Sequence, residues 1–298
     1  MLLDAVFAPI PTPFSGDEVD VAGIRSNVEK WMRTGLGGIV ALGSNGEAPL
    51  LDEHESDTVV AAVRSAMPDG PLLIAGTGRE STRATIAASI RAAELGADVV
   101  LVRTPSYFKS RMTADAFVVH YTAVADRSPV PLLIYNYPGV TGVNIDAAAV
   151  GRLSEHPNIA GIKETGSDTS QVAHFASTAS PNFVVLAGSA PTFYPSLCVG
   201  ARGAILAVAC IAPAMCVALL DHVRAGRHAE ARELQRRLTP LAKLVTSLHG
   251  VPGLKAALDL VGFKGGSPRL PLRPAPLEAV EEIKRVLTKL ESPAAVPR

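Results

Sequence analysis

A chain of 298 residues, 48% of them hydrophobic, can bury one large α/β domain or a barrel with an appendage. Its 28 Lys and Arg balance 28 Asp and Glu, and a net charge of zero gives no electrostatic case for a nucleic-acid or membrane partner. Cys198, Cys210 and Cys216 are odd in number and lack C-x-x-C spacing, which argues against a disulfide framework or a zinc site; all three lie in apolar sequence and read as buried thiols.

The first segment, MLLDAVFAPIPTPF, has no basic start, and prolines interrupt its apolar run, so it makes a poor signal peptide. No apolar run reaches the roughly 18 residues of a membrane helix, and a reducing, cytoplasmic setting is the expectation. From there short apolar runs alternate with longer helical patterns. The runs cover 4–10, 37–42, 71–76, 97–102, 130–135, 159–163, 183–188 and 203–208. They are rich in Val, Ile and Leu without polar alternation, as strands buried on both faces are. Between them, 52–67 opens on Asp52 and 81–96 opens on Ser81, both good N-caps, with apolar residues at helical spacing; the second closes on Gly96.

A frame recurs at TGLGGIVA (34–41), LGADVVLV (95–102) and VGARGAIL (199–206). A glycine ends a helix and a strand begins three positions later, because glycine takes the left-handed cap at no steric cost. Eight strand–helix units predict an α/β fold, a (β/α)8 TIM barrel, over residues 1–225. An open doubly wound sheet also alternates strand and helix, but no G-x-G-x-x-G or G-x-x-x-x-G-K-[ST] follows any strand. After 225 the pattern becomes helical. Apolar residues at 234, 238, 241, 245 and 248 predict one helix over 229–250, and 252–263 and 277–290 follow, so 226–298 is expected to be a C-terminal helical domain. Arg224, Arg227, Arg232, Arg236 and Arg237 read as a solvated helix face.

In a barrel the chemistry sits where the strands end. Those ends carry GSNGEAP (43–49), RTPSYFK (103–109), YNYPGVTG (135–142), KETG (163–166) and GSAP (188–191). The set holds an amine, tyrosines, small hydroxyls and glycine-rich backbone. It lacks a metal-binding cluster, a Ser–His–Asp set and facing carboxylates; His54, His120 and His174 fall on predicted helices away from that face. Lys163 and Tyr135 lie one strand–helix repeat apart and should end adjacent strands. A lysine among apolar groups is partly neutral and can attack a ketone, with a phenol relaying the protons; a lysine that only solvates a strand end fits the spacing too. The glycines around Ser44 and Asn45 suit backbone N–H groups converging on a carboxylate, and equally an ordinary turn.

Together GSNGE (43–47), TPSYF (104–108), YNYPGVTG (135–142), GIKET (161–165), LAGS (186–189) and LKAALDLVGFKGGSPRLPL (254–272) resemble, in order and spacing over nearly the whole chain, the class I pyruvate-dependent aldolases and synthases related to dihydrodipicolinate synthase and N-acetylneuraminate lyase. The resemblance implies a (β/α)8 barrel with a C-terminal helical domain, a homotetramer built from tight dimers, a pyruvate-like 2-oxo acid as substrate, and no cofactor or metal. By that match Lys163 forms the imine, Tyr135 is the relay phenol, Ser44 the relay hydroxyl, and Tyr107 reaches the relay of the neighbouring subunit. Ser44, Asn45, Gly46, Gly188, Ser189 and Ile205 would contact substrate.

Two departures bear on the second substrate. Dihydrodipicolinate synthases usually show Gly-Thr-Thr-Gly-Glu where this chain has Gly43-Ser44-Asn45-Gly46-Glu47, and carry an arginine for a substrate carboxylate where it has Val140. Positions that often bind feedback lysine hold Glu53, Ser56 and Ser106. GSNGE, LAGS, ESTRAT, LSEHPNIAGIK and GVPGLKAALDLVGF look closest to the 4-hydroxy-2-oxoglutarate aldolases, which yield pyruvate and glyoxylate. Dihydrodipicolinate synthase and a 2-keto-3-deoxy sugar-acid aldolase or dehydratase are the alternatives. A binding protein that kept the barrel and lost turnover is the reading from another class; intact Lys163, Tyr135 and Tyr107 speak against it.

Overall fold

The computed structural model describes residues 3–291; residues 292–298 of the expected C-terminal segment lie outside the described residues. Eight short apolar segments form parallel strands: β1 (Val6–Pro9), β2 (Gly38–Ala41), β3 (Leu72–Gly76), β4 (Val99–Arg103), β5 (Leu132–Asn136), β6 (Ile159–Glu164), β7 (Val184–Ala187) and β8 (Gly203–Ile205). Each pairs with the next, and β8 returns to β1 with Phe7 opposite Ile205, so the sheet closes into a barrel and leaves no edge.

Helices α1 (Val21–Trp31), α2 (Glu53–Ala66), α3 (Thr82–Glu94), α4 (Ala114–Ala125), α5 (Ala147–Ser154), α6 (Thr169–Thr178), α7 (Phe193–Cys198) and α8 (Pro213–Arg224) follow the strands in turn. Six of them start where a side chain accepts one of the free N–H groups of the first turn: Asp20, Asp52, Ser81, Thr113, Asp146 and Asp168. Asp52 and Glu55 form a full capping box. Each such cap is worth about 1 kcal/mol. The recurring glycines Gly35, Gly96 and Gly200 all have positive φ, 79°, 94° and 119°, and the strand starts three residues after each.

Alternation along the strands sorts side chains into two cores. Phe7, Val40, Ile74, Leu101, Leu133 and Leu186 fill the barrel interior, while Ile39, Val100, Ile134 and Ile162 pack outward among the helices. Lys163 is in register with Tyr135 of β5 and Leu186 of β7, inside this apolar interior.

Beyond the barrel run α9 (His228–Lys243), α10 (Gly250–Leu260) and α11 (Leu277–Glu291). The single helix expected over 229–250 is interrupted. After Pro240 and Lys243 the chain makes a π-helical turn over Leu244–Leu248, with Thr246 Oγ1 donating to Ala242 O at 2.6 Å. The extra residue of a π turn rotates the stripe: Leu238, Leu241 and Val245 are buried, yet Leu248 is 65% exposed. A small antiparallel hairpin, Phe14–Ser15 with Glu18–Val19, follows β1; strands of two residues carry no readable period. Cys210 and Cys216 are buried, but Cys198, at the last turn of the short α7, is exposed, against the expectation of three buried thiols. Among the described residues no helix is long and apolar enough to cross a membrane.

Candidate active site

The pairing of β5 with β6 puts Tyr135 and Lys163 side by side at the strand ends. Lys163 Nζ lies 4.1 Å from the centroid of the Tyr135 ring, and the two residues are 4% and 5% exposed. Burial holds the Lys163 amine far below its ordinary 10.5, at about 7, with the nearby Cys210 thiol acting weakly in the opposite sense. Cys210 is tied by its Sγ to the Pro9 carbonyl at 3.4 Å and is itself kept as a neutral thiol by burial. Burial also pushes the Tyr135 phenol up to about 12, the Ser44 and Thr165 hydroxyls pulling the other way. Tyr135 therefore stays a proton-bearing hydroxyl. Its Oη is 3.3 Å from Ser44 Oγ, and Tyr137 stacks on its ring at 5.9 Å.

Ser44 and Asn45 sit on a tight turn after β2. Gly46 N–H donates to Gly43 O (3.0 Å) and Glu47 N–H to Ser44 O (3.2 Å), while Thr12 Oγ1 donates to Gly46 O (2.8 Å) and Asn45 Nδ2 to Pro9 O (3.2 Å). The Ser44 and Asn45 N–H groups have no acceptor among the described residues. Gly188 belongs where it is because of a close approach: a Cβ there would lie 2.1 Å from Thr165 Oγ1 and 2.9 Å from Glu164 O. Its N–H donates to Glu164 O at 2.6 Å, joining the ends of β6 and β7.

A cavity of about 590 Å³ collects Ser44, Asn45, Tyr135, Lys163, Gly188, Ser189 and Ile205. Gly46 stays inside its turn and Tyr107 stands apart, 78% exposed, its N–H donating to Glu80 Oε2 at 2.9 Å. Residues that sequence reasoning did not single out also line the cavity: Thr165 and Ser167 from the β6 loop, and Thr246, Ser247 and Val251 from the π turn and the start of α10. The latter reach the cavity from the π turn and the helix after it, and no local pattern in the sequence announces that. Lys163 is the only charged residue among the cavity's lining residues that are described. A second cavity of about 290 Å³ shares Ser44 and Tyr135 and extends past Pro49, Leu51, Arg79 and Arg103.

An amine held partly neutral, beside a phenol and a hydroxyl in mutual contact, on a turn with two free N–H groups, can form an imine with a 2-oxo acid. The Dihydrodipicolinate synthetase family model matches residues 2–290. The chain belongs to that family. It is an enzyme of the family's carbon–carbon lyase type, a class I aldolase in the broad sense. It is 37% identical over 276 residues to a probable mitochondrial 4-hydroxy-2-oxoglutarate aldolase of Emericella nidulans, covering 91% of this chain and 89% of that one. It is 34% identical over 285 residues to a 4-hydroxy-tetrahydrodipicolinate synthase of Exiguobacterium sp., covering 95% and 96%. The crystal structure of dihydrodipicolinate synthase from Thermotoga maritima superposes with a TM-score of 0.92 at 32% identity, covering 96% of this chain and 98% of that one.

Proposed function

We propose that the protein cleaves 4-hydroxy-2-oxoglutarate to pyruvate and glyoxylate through an imine on Lys163. The neutral amine attacks the C2 carbonyl. The carbinolamine then loses its oxygen as water, with the Tyr135 hydroxyl delivering and recovering the proton. A proton leaves the 4-hydroxyl, the C3–C4 bond breaks, and its electron pair flows into the iminium to give an enamine. Glyoxylate departs; protonation at C3 and hydrolysis of the imine release pyruvate and free Lys163. The observation that carries this reading is the buried amine of Lys163, held at about 7 and 4.1 Å from the Tyr135 ring.

The Ser44 and Asn45 N–H groups would take the carboxylate next to the imine, with Gly188, Ser189 and Ile205 walling the pocket and Gly46 shaping the turn. Tyr107 completes the relay from a neighbouring subunit: the smaller cavity behind Ser44 and Tyr135 has space for a phenol, and Tyr107 of the same chain points its exposed ring elsewhere. That loan requires a dimer, and the family resemblance supports pairing two such dimers into a homotetramer. For the second substrate, Val140 in place of an arginine weighs against aspartate semialdehyde, since a lost bidentate pair costs about 1.5–3 kcal/mol. The absence of a second charged group in the described lining, with Thr165, Ser167, Ser189 and Ser247 there instead, supports a second reading, cleavage of a hydroxyl-rich 2-keto-3-deoxy sugar acid.

The test is pyruvate release from 4-hydroxy-2-oxoglutarate, read through lactate dehydrogenase, with Lys163→Ala as control. Release that disappears in the variant supports both mechanism and substrate. No release from a wild type that borohydride still traps with pyruvate keeps the mechanism and moves the substrate to the sugar acid. No borohydride adduct at Lys163 overturns the imine itself.

A further inference from the structure

Leu42 and Glu47 are the two non-glycine residues with left-handed backbone among those described, φ 56° and 57°, and they bracket the turn that carries Ser44 and Asn45. Strain of this kind persists only where the surroundings over-determine it. Here the surroundings are an ion pair removed from water. Glu47 Oε1 meets Lys255 Nζ at 2.5 Å, with the two side chains 0% and 1% exposed. Glu47 Oε2 accepts from the Arg269 N–H at 2.8 Å, Lys255 Nζ also donates to Ser267 O at 2.9 Å, and the Lys255 ammonium and Arg269 guanidinium both lie over the Phe14 ring, at 4.5 and 4.4 Å. Lys255 stands on α10 and Arg269 on the segment after it, so two stretches from beyond the barrel hold one residue of the β2 turn.

Well-packed apolar residues of similar volume commonly replace a buried ion pair with no loss of stability. Stability alone therefore does not account for charges buried here. We infer that Glu47 and Lys255 are a positioning pair, which keeps the strained turn in the one conformation that presents the Ser44 and Asn45 N–H groups to the carboxylate of the 2-oxo acid. The inference rests on the imine reading above and adds to it that carboxylate recognition depends on α10. Neither residue lines the cavity, so neither touches substrate.

The test compares two ketones, one with a carboxylate and one without. Borohydride trapping at Lys163 is titrated with pyruvate and with acetone, in wild type and in the charge-free variant Glu47→Gln/Lys255→Met. The expected result is a rise of about tenfold or more in the half-saturating pyruvate concentration, with acetone trapping within about threefold of wild type, as lost uniform binding predicts. General damage to the fold would weaken both ketones together. Glu47→Gln alone, which keeps an acceptor for the Arg269 N–H, serves if the double variant does not fold, and the same selective loss is expected. A folded variant that keeps the wild-type preference for pyruvate, or loses both ketones equally, overturns the inference. A wild type that traps neither ketone would instead overturn the imine reading.

Discussion

Lys163 shows what burial does to one amine. Left in water it would be protonated at any ordinary pH and useless as a nucleophile. Among Leu133, Leu186 and Ile205 its charged form loses hydration, and its titration falls to about 7. The sign follows directly: the neutral amine attacks, so proton uptake below about pH 7 removes the nucleophile. Imine formation at low pyruvate should climb about tenfold per pH unit up to about pH 7 and level off above it. Imine formed for a fixed time at each pH from 5 to 10, then quenched into borohydride at one common alkaline pH, reads this. A profile still rising near pH 10 would mean that Lys163 behaves as a solvated amine. Sequence could nominate this lysine, because an amine closing an apolar run is visible in one line of text. It could not show Cys210 beside it, nor that Glu47 of GSNGE finds Lys255 on α10. Those contacts join residues far apart in the chain. The one local sign was a lysine three residues before the buried Leu258, on the same helix face.

At the scale of elements, the barrel was legible because its strands are unbroken apolar runs and its helix ends are glycines with a required conformation. Gly35, Gly96 and Gly200 announce three strands by position alone. The hairpin at 14–19 and the π turn at 244–248 escaped, the first for want of length, the second because a spacing of four and three reads the same until the extra residue turns Leu248 outward. Gly188 belongs to a third kind, a glycine demanded by crowding. The ends of β6 and β7 meet there, with Thr165 Oγ1 only 2.1 Å from where a Cβ would sit. Gly188→Ala must push Thr165 or the Glu164 carbonyl away, an overpacking cost of about 1–3 kcal/mol. A fall of a few degrees in Tm should accompany it, with pyruvate trapping weakened about tenfold because Lys163 is on the same strand end. Calorimetry and the trapping titration check both halves. An alanine variant with wild-type Tm and wild-type trapping would show that the loop yields freely.

For the whole molecule, the question is whether one chain holds a complete site. Tyr135 and Ser44 touch at 3.3 Å, but the proton they pass needs a route outward, and Tyr107 of the same chain does not reach them. Tyr107 is nevertheless set in place. Glu80 accepts from the Ser106 and Tyr107 N–H groups at 2.8 and 2.9 Å and pairs with Arg103 at 2.7 Å, so the loop holds an exposed aromatic ring outward, edge-on to Phe108. A two-fold dimer is isologous: whatever one subunit lends, it receives. If Tyr107 is lent, Tyr107→Phe and Lys163→Ala damage different sites of a mixed dimer. The hybrid then has one site lacking both groups and one with an intact Lys163 and a borrowed Tyr107. Each variant alone should be nearly inactive. Dissociated, mixed in equal amounts and reassociated at random, they should recover about a quarter of wild-type activity, since half the dimers are hybrids with one working site of two. A mixture no more active than the average of its parents would place Tyr107 outside the relay and leave each subunit to work alone.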